Sequence, residues 1–129
     1  MKKKISVKLR EHKKGIIFIR STKNNTIITF SNLLGNVLFW ESGGTLGFKN
    51  SRKSTVYAAG AAAEKVISKA MHLGYNIYDI KMKGTGFGKR NALKTIIKII
   101  VKAKLIITSI EERTSIPHNG CRLPKKRRL

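Results

Sequence analysis

The sequence predicts an α/β fold: a mixed five-stranded sheet with two main helices, flanked by a basic N-terminal arm and a basic C-terminal tail. Three observations lead there. Short β-branched and aromatic runs, separated by turn residues, crowd the first third of the chain. After them, strand and helix patterns alternate. Apolar residues make up 41% of 129, enough for one domain with a modest core.

Residues 1–14 hold seven Lys or Arg and one Glu without any sustained period, and are expected to form the arm. Residues 15–110 are expected to form the domain. Ile16–Ile19, Thr26–Phe30 and Val37–Trp40 read as three strands of an antiparallel meander. Lys23-Asn24-Asn25 and Leu34-Gly35-Asn36 supply the turn chemistry between them. A loop over Ser42–Ser54 carries the basic cluster Lys49, Arg52 and Lys53. Ser54 or Thr55 is placed to cap a helix over Ala58–Leu73, whose core positions are Val66, Ile67, Ala70 and Met71. Gly74 is placed to end it in the left-handed conformation. Ile77–Met82 alternates as a fourth strand. A second helix runs over Asn91–Ala103, with Leu93, Ile96, Ile97, Ile100 and Val101 opposing a stripe of Lys94, Lys98 and Lys102 that is as readily solvent-facing as RNA-facing. Leu105–Ile110 is the fifth strand, and the later strands are expected to run parallel. Residues 111–129 lack a core period and form the tail.

The charge decides the class of partner. Lys plus Arg number 28 against 6 Asp plus Glu, a net +22. Self-repulsion on that scale destabilises a compact chain unless a polyanion accompanies it. A free-standing metabolic enzyme, and with it a small-molecule substrate, is therefore disfavoured, and nucleic acid is favoured. No apolar run approaches the roughly 20 residues of a bilayer span. The lone Cys121 has no disulfide partner within the chain. Met1-Lys2-Lys3-Lys4 lacks the apolar region of a secretory signal behind it, so synthesis in the working compartment is expected. Lys outnumbers Arg 20 to 8 and Ile reaches 17, a bias that suggests an AT-rich coding genome, an organelle's or a bacterium's.

The segment Lys83-Gly84-Thr85-Gly86-Phe87-Gly88-Lys89-Arg90 invites a nucleotide-binding reading and fails it. Lys83 stands where a P-loop needs its first Gly, and Arg90 where it needs Ser or Thr. Lys89 stands where the dinucleotide fingerprint needs its third Gly. A glycine loop entering a helix still presents backbone N–H groups and a helix N-terminus to phosphate, and Lys83, Lys89 and Arg90 add full charges. A plain tight turn with solvated lysines is the bland alternative. Six scattered acids cannot readily assemble a metal-dependent nuclease site, and Glu111 and Glu112 are expected to pair with nearby bases. His118 and Cys121 have ligand spacing but no second pair, so neither metal nor cofactor is expected.

Four blocks, in order, resemble the family of small-subunit ribosomal protein eleven from about Gly15 to Leu129. They are Asn24-Asn25-Thr26; Gly47-Phe48-Lys49 through Lys53-Ser54-Thr55 with Tyr57-Ala58-Ala59; Lys83-Gly84 through Gly88 with Ala92; and Pro117-His118-Asn119-Gly120-Cys121-Arg122. The departures touch loop rigidity. Val56, Thr85, Ser115 and Leu123 replace prolines, Asn50 replaces a Gly, and Lys89-Arg90 replaces Arg-Glu.

The resemblance implies a ribonuclease-H-like three-layer α/β/α fold without nuclease carboxylates. It implies a structural protein of the small ribosomal subunit, binding small-subunit rRNA on the platform near the messenger exit. Its implied neighbours are small-subunit proteins seven and eighteen, with messenger RNA close by. The implied location is an organellar ribosome, mitochondrial ahead of plastid, or a bacterial one. The RNA-binding residues expected are Asn24 and Asn25; Lys49, Ser51, Arg52 and Lys53; Lys83, Gly84, Gly86, Gly88, Lys89 and Arg90; and His118, Asn119, Gly120, Arg122, Lys125, Lys126, Arg127 and Arg128. The glycines are expected to allow close backbone approach and the cations to hold phosphates. A DNA-compacting or other non-ribosomal basic nucleic-acid-binding protein is the alternative. In Asn119-Gly120 the unhindered following nitrogen favours succinimide formation, so Asn119 is a candidate for conversion to isoaspartate.

Overall fold

A computed structural model describes residues 13–129. The elements are β1 (Lys13–Ser21), β2 (Thr26–Asn32), β3 (Val37–Ser42), α1 (Val56–His72), β4 (Tyr75–Gly84), α2 (Gly88–Lys102) and β5 (Ile106–Glu112). The sheet order is β3-β2-β1-β4-β5. β1–β2 and β2–β3 are antiparallel, whereas β1–β4 and β4–β5 are parallel. The α/β class, the mixed five-stranded sheet and the two main helices match the expectation.

Register follows from alternation. Ile17 pairs with Phe30 and Ile80, and Ile19 with Ile28 and Met82, so every second residue of three central strands faces one side. That side receives Ala59, Ala62, Ala63, Val66, Ile67 and Ala70 from α1, and Ala92, Ile96 and Ile100 from α2. The small residues of α1 let it lie close to α2 and the sheet. Phe30 stacks on Phe39 at 5.0 Å and meets Tyr75 edge-on at 4.8 Å. The buried Tyr78 hydroxyl donates to the Tyr75 carbonyl at 2.6 Å, and burial pushes its pKa up to about 12.

Thr55 is the cap of α1: its side-chain oxygen accepts from the Ala58 N–H at 3.2 Å. Gly74 follows α1 at φ 86°, as a left-handed stop should.

Both helices cover the same sheet face and pack on one another. Among the described residues the two helices thus form one layer over the sheet. Among the described residues no helix lies on the second face. Several boundaries shift. Residues 1–12 of the expected arm lie outside the described residues, while Lys13 and Lys14 belong to β1, opposite Tyr75 and Ile77. β5 continues through Glu111 and Glu112 before the tail begins. α2 starts three residues early, at Gly88. Val101 and Met71, expected in the core, sit on the exposed side of their helices.

Candidate nucleic-acid interface

The strand directions gather the candidate segments. β1, β3, β4 and β5 all run the same way, and their last residues share one edge: Ser21 pairs with Gly84, Met82 with Glu112, and Ser42 with Ile27 beside Thr26. The connections leaving that edge are 22–25, 43–55, 85–87 and the tail. Three of the four expected clusters are thus brought together, and the fourth is rooted beside them.

The Asn24–Asn25 turn is closed by the Thr22 N–H donating to the Asn25 carbonyl at 2.8 Å. The Asn25 side-chain oxygen accepts from the Thr26 N–H at 2.9 Å, leaving the exposed Asn24 free at the tip. In the long loop the Phe48 N–H donates to the Gly43 carbonyl, and residues Asn50–Ser54 form a short 3-10 turn. Asn50 takes φ 53°, which Asn tolerates better than other side chains. The loop encloses a concavity of about 520 Å³ lined by residues 46–52, including Lys49, Ser51 and Arg52. Phe48 braces it against Tyr57, edge-on at 5.9 Å.

Glu41 fixes the root of this loop to α1. Its buried carboxylate accepts from Lys69 at 2.6 Å and from the Thr45 hydroxyl at 2.7 Å, with Lys65 at 3.4 Å. Burial pushes its pKa up, but the two hydrogen bonds and the two ammonium charges outweigh that and hold it below the usual carboxylate value.

The glycine loop lies against the β1–β2 turn. A Cβ on Gly84, which sits at φ 109°, would fall 1.9 Å from the Ser21 carbonyl oxygen. One on Gly86 would meet the Thr22 carbonyl oxygen at 2.3 Å, and one on Gly88 the Thr26 hydroxyl at 2.4 Å. The glycines thus let the chain approach itself. Lys89 is turned inward: its ammonium donates to the Gly84 carbonyl at 3.1 Å and pairs with Glu112 at 2.9 Å. Glu112 is held below the usual carboxylate range by hydrogen bonds from Thr114 and Lys89, and Glu111 pairs with Arg113 at 2.8 Å, both acids pairing as expected. Lys83 and Arg90 are exposed and, like Lys49, Arg52 and Lys53, form no ion pair among the described residues.

The tail leaves this edge in a fixed direction. The Arg113 N–H donates to the Met82 carbonyl at 2.7 Å, and the Gly84 N–H to the Thr114 hydroxyl at 3.2 Å. From Ser115 onward every residue is exposed, including His118, Arg122, Lys125, Lys126, Arg127 and Arg128. Asn119 stands at φ 56° and Gly120 follows it, with Cys121 exposed beyond. Sequence reasoning missed Arg20. It is exposed and pairs in register with Lys83, adding a cation to the edge of the interface. Its signal was a charged residue at an outward position of an otherwise apolar strand.

The family model for ribosomal protein S11 matches residues 15–128. Small ribosomal subunit protein uS11m of Prototheca wickerhamii is 55% identical over 128 residues, 99% of this chain and 97% of that one. Small ribosomal subunit protein uS11 of Kosmotoga olearia is 47% identical, covering 90% of this chain and 86% of its own length. Protein uS11c of Phaeodactylum tricornutum is 47% identical, covering 89% and 85%. None of these names supports a DNA-compacting protein. With an edge of cations that form no ion pair among the described residues of an α/β domain, and similarity of this depth along nearly its whole length, the chain belongs to the ribosomal protein S11 family.

Proposed function

We propose that the chain is a structural constituent of the small ribosomal subunit, and that its carboxyl-end edge and tail bind rRNA. The observation that carries this is the convergence, on one edge of the sheet, of cations that form no ion pair among the described residues. Lys49, Arg52, Lys53, Lys83 and Arg90, with Arg122 and Lys125 to Arg128 on the tail, would neutralise closely spaced phosphates. Asn24, Asn119 and His118 would meet bases and 2′-hydroxyls. Ser51 and the backbone of Gly120 would lie against the RNA surface, while Gly84, Gly86 and Gly88 would act by packing the glycine loop onto the β1–β2 turn. Lys89 would act by stiffening the loop, since its charge is already paired. The family is structural, and the chain is read as having no enzymatic activity.

Finer assignments follow from the family. Small-subunit proteins seven and eighteen are proposed as neighbours, with messenger RNA near the exit. The AT-rich bias and the 55% identity to the uS11m relative favour a mitochondrial ribosome. Asn119 is proposed as a site of isoaspartate formation. Its exposed left-handed turn leaves the Gly120 nitrogen accessible. An isoaspartate-specific digest of peptides from aged ribosomes should find the modified form, and wholly unmodified peptide would refute it.

Two measurements test the main reading. The full chain should bind folded small-subunit rRNA fragments more tightly than duplex DNA at physiological salt. It should also stay with small subunits through a salt wash that strips loosely bound proteins. Equal affinity for both nucleic acids, with complete loss in the wash, would overturn it.

A further inference from the structure

The open face of the sheet has its own chemistry. We infer that it is a stacking platform for unpaired RNA bases, with Phe18 and Trp40 as the stacking rings. This rests on the RNA-binding reading and extends it to a face that the cationic edge does not include.

The two rings share a row. Trp40 is registered opposite Thr29, Thr29 opposite Phe18, and Phe18 opposite Lys81, all pointing away from the helices. Their backbones are two strand spacings apart, about 10 Å, a gap that nucleotides of an extended strand can bridge. Trp40 is 51% exposed and Phe18 half-buried. Neither ring has an aromatic or cation–π partner among the described residues. By contrast, Phe30, Phe39, Tyr75 and Tyr78 on the other face all have one.

Charge selects the occupant. The acids of this face are already neutralised: Asp79 by Lys14 at 3.1 Å and Glu111 by Arg113 at 2.8 Å. Lys81 in the same row, and Arg20 and Lys83 in the next, form no ion pair among the described residues. An apolar protein surface laid here would strip water from those cations without supplying counter-charge. A single strand supplies both complements, bases for the rings and phosphates for the cations. A duplex supplies only phosphates, because its bases are already stacked. Arg20 and Lys83 also join this face to the cationic edge, so one strand could run continuously across both.

Trp40 is the only tryptophan in the chain, so its fluorescence reports the face directly. The full chain is titrated with a ten-nucleotide uridine strand, an abasic strand of equal length and an RNA duplex. The uridine strand should quench Trp40 saturably, while the other two bind without quenching. Phe18→Leu should weaken uridine-strand binding by about 5-fold or more, the low end of stacking losses, and leave duplex binding unchanged. Trp40→Leu, followed by anisotropy of a labelled strand, should do the same. Unchanged melting temperatures would confirm that both variants fold. Equal affinity for abasic and uridine strands without quenching would overturn the platform while leaving charge-driven rRNA binding intact. Absence of binding to any RNA would overturn both readings. A blue shift of Trp40 caused by a neighbouring ribosomal protein and not by RNA would make this a protein contact and refute the proposal.

Discussion

The two ends of the sheet are built differently. At the carboxyl ends of β1, β3, β4 and β5, loops are braced on one another, glycines touch backbone, and unpaired cations stand outward. At the opposite end the β2–β3 hairpin turns through Leu33-Leu34-Gly35-Asn36, with Leu34 87% exposed. No Lys or Arg occurs from Asn24 to Phe48, although the chain carries 28. Gly35 also has positive φ, but a Cβ there would meet nothing within 4 Å. Charge therefore accompanies loops that are braced on one another, whereas this tip, closed by hydrogen bonds between Asn32, Gly35 and Asn36, carries none. A cation placed on a fixed loop meets its phosphate with less entropy left to lose.

The largest expected effect separates two glycines. Gly84→Ala must displace the Ser21 carbonyl as well as hold an unfavourable φ, and should destabilise the fold by about 3 kcal/mol or more. Gly35→Ala meets only the conformational penalty, about 1 kcal/mol. Urea denaturation of both variants measures the contrast, and similar losses would erase it.

Glu41 tests how far the shaped end depends on its anchor. Glu41→Gln should cost about 1–2 kcal/mol at pH 7, since one partner of a partly buried charge network is lost while the lysines regain water. The folded carboxyl titrates below its ordinary value of 4.5. Its contribution is therefore complete above that value and is lost as pH falls through the lower folded value. Wild type and variant should converge in acid, which denaturation at pH 7 and pH 3 would show.

A smaller effect distinguishes paired from unpaired cations. Arg52→Ala and Arg90→Ala should each reduce the slope of log affinity against log salt by about 0.7–0.9. Lys89→Ala should change the slope less, because Glu112 already neutralises that ammonium, but should lower the melting temperature. Lys102→Ala, far from the edge, should leave the slope unaltered. Smallest of all, Leu34→Ser should move stability by no more than about 0.5 kcal/mol and leave rRNA affinity unchanged. A large loss of RNA binding would instead place the hairpin tip in the RNA interface.

The interior was legible because alternation is local. Ile17 and Ile19, and Ile28 and Phe30, mark their inward face within a few residues. The Thr55 cap and the Gly74 stop are equally short-range. What escaped depends on partners distant in sequence. The glycine loop was recognisable from its composition, but its glycines answer to Ser21, Thr22 and Thr26, some 60 residues earlier. Lys89 looked like a free phosphate ligand until Glu112 was placed beside it. Lys13 and Lys14 read as arm because their charge hides the pairing that β4 offers. The gathering of three loops and the tail on one edge needed strand direction, which composition does not encode.

The bonds from Arg113 to Met82 and from Gly84 to Thr114 do more than finish a strand. They anchor the first link of a tether. Fifteen residues, Ser115 to Leu129, can reach roughly 50 Å from that point when extended. Once the domain has landed, the basic terminus explores a small volume at an effective concentration in the millimolar range. Assembly can thus proceed in two stages, with the folded body arriving first and the tether threading afterwards.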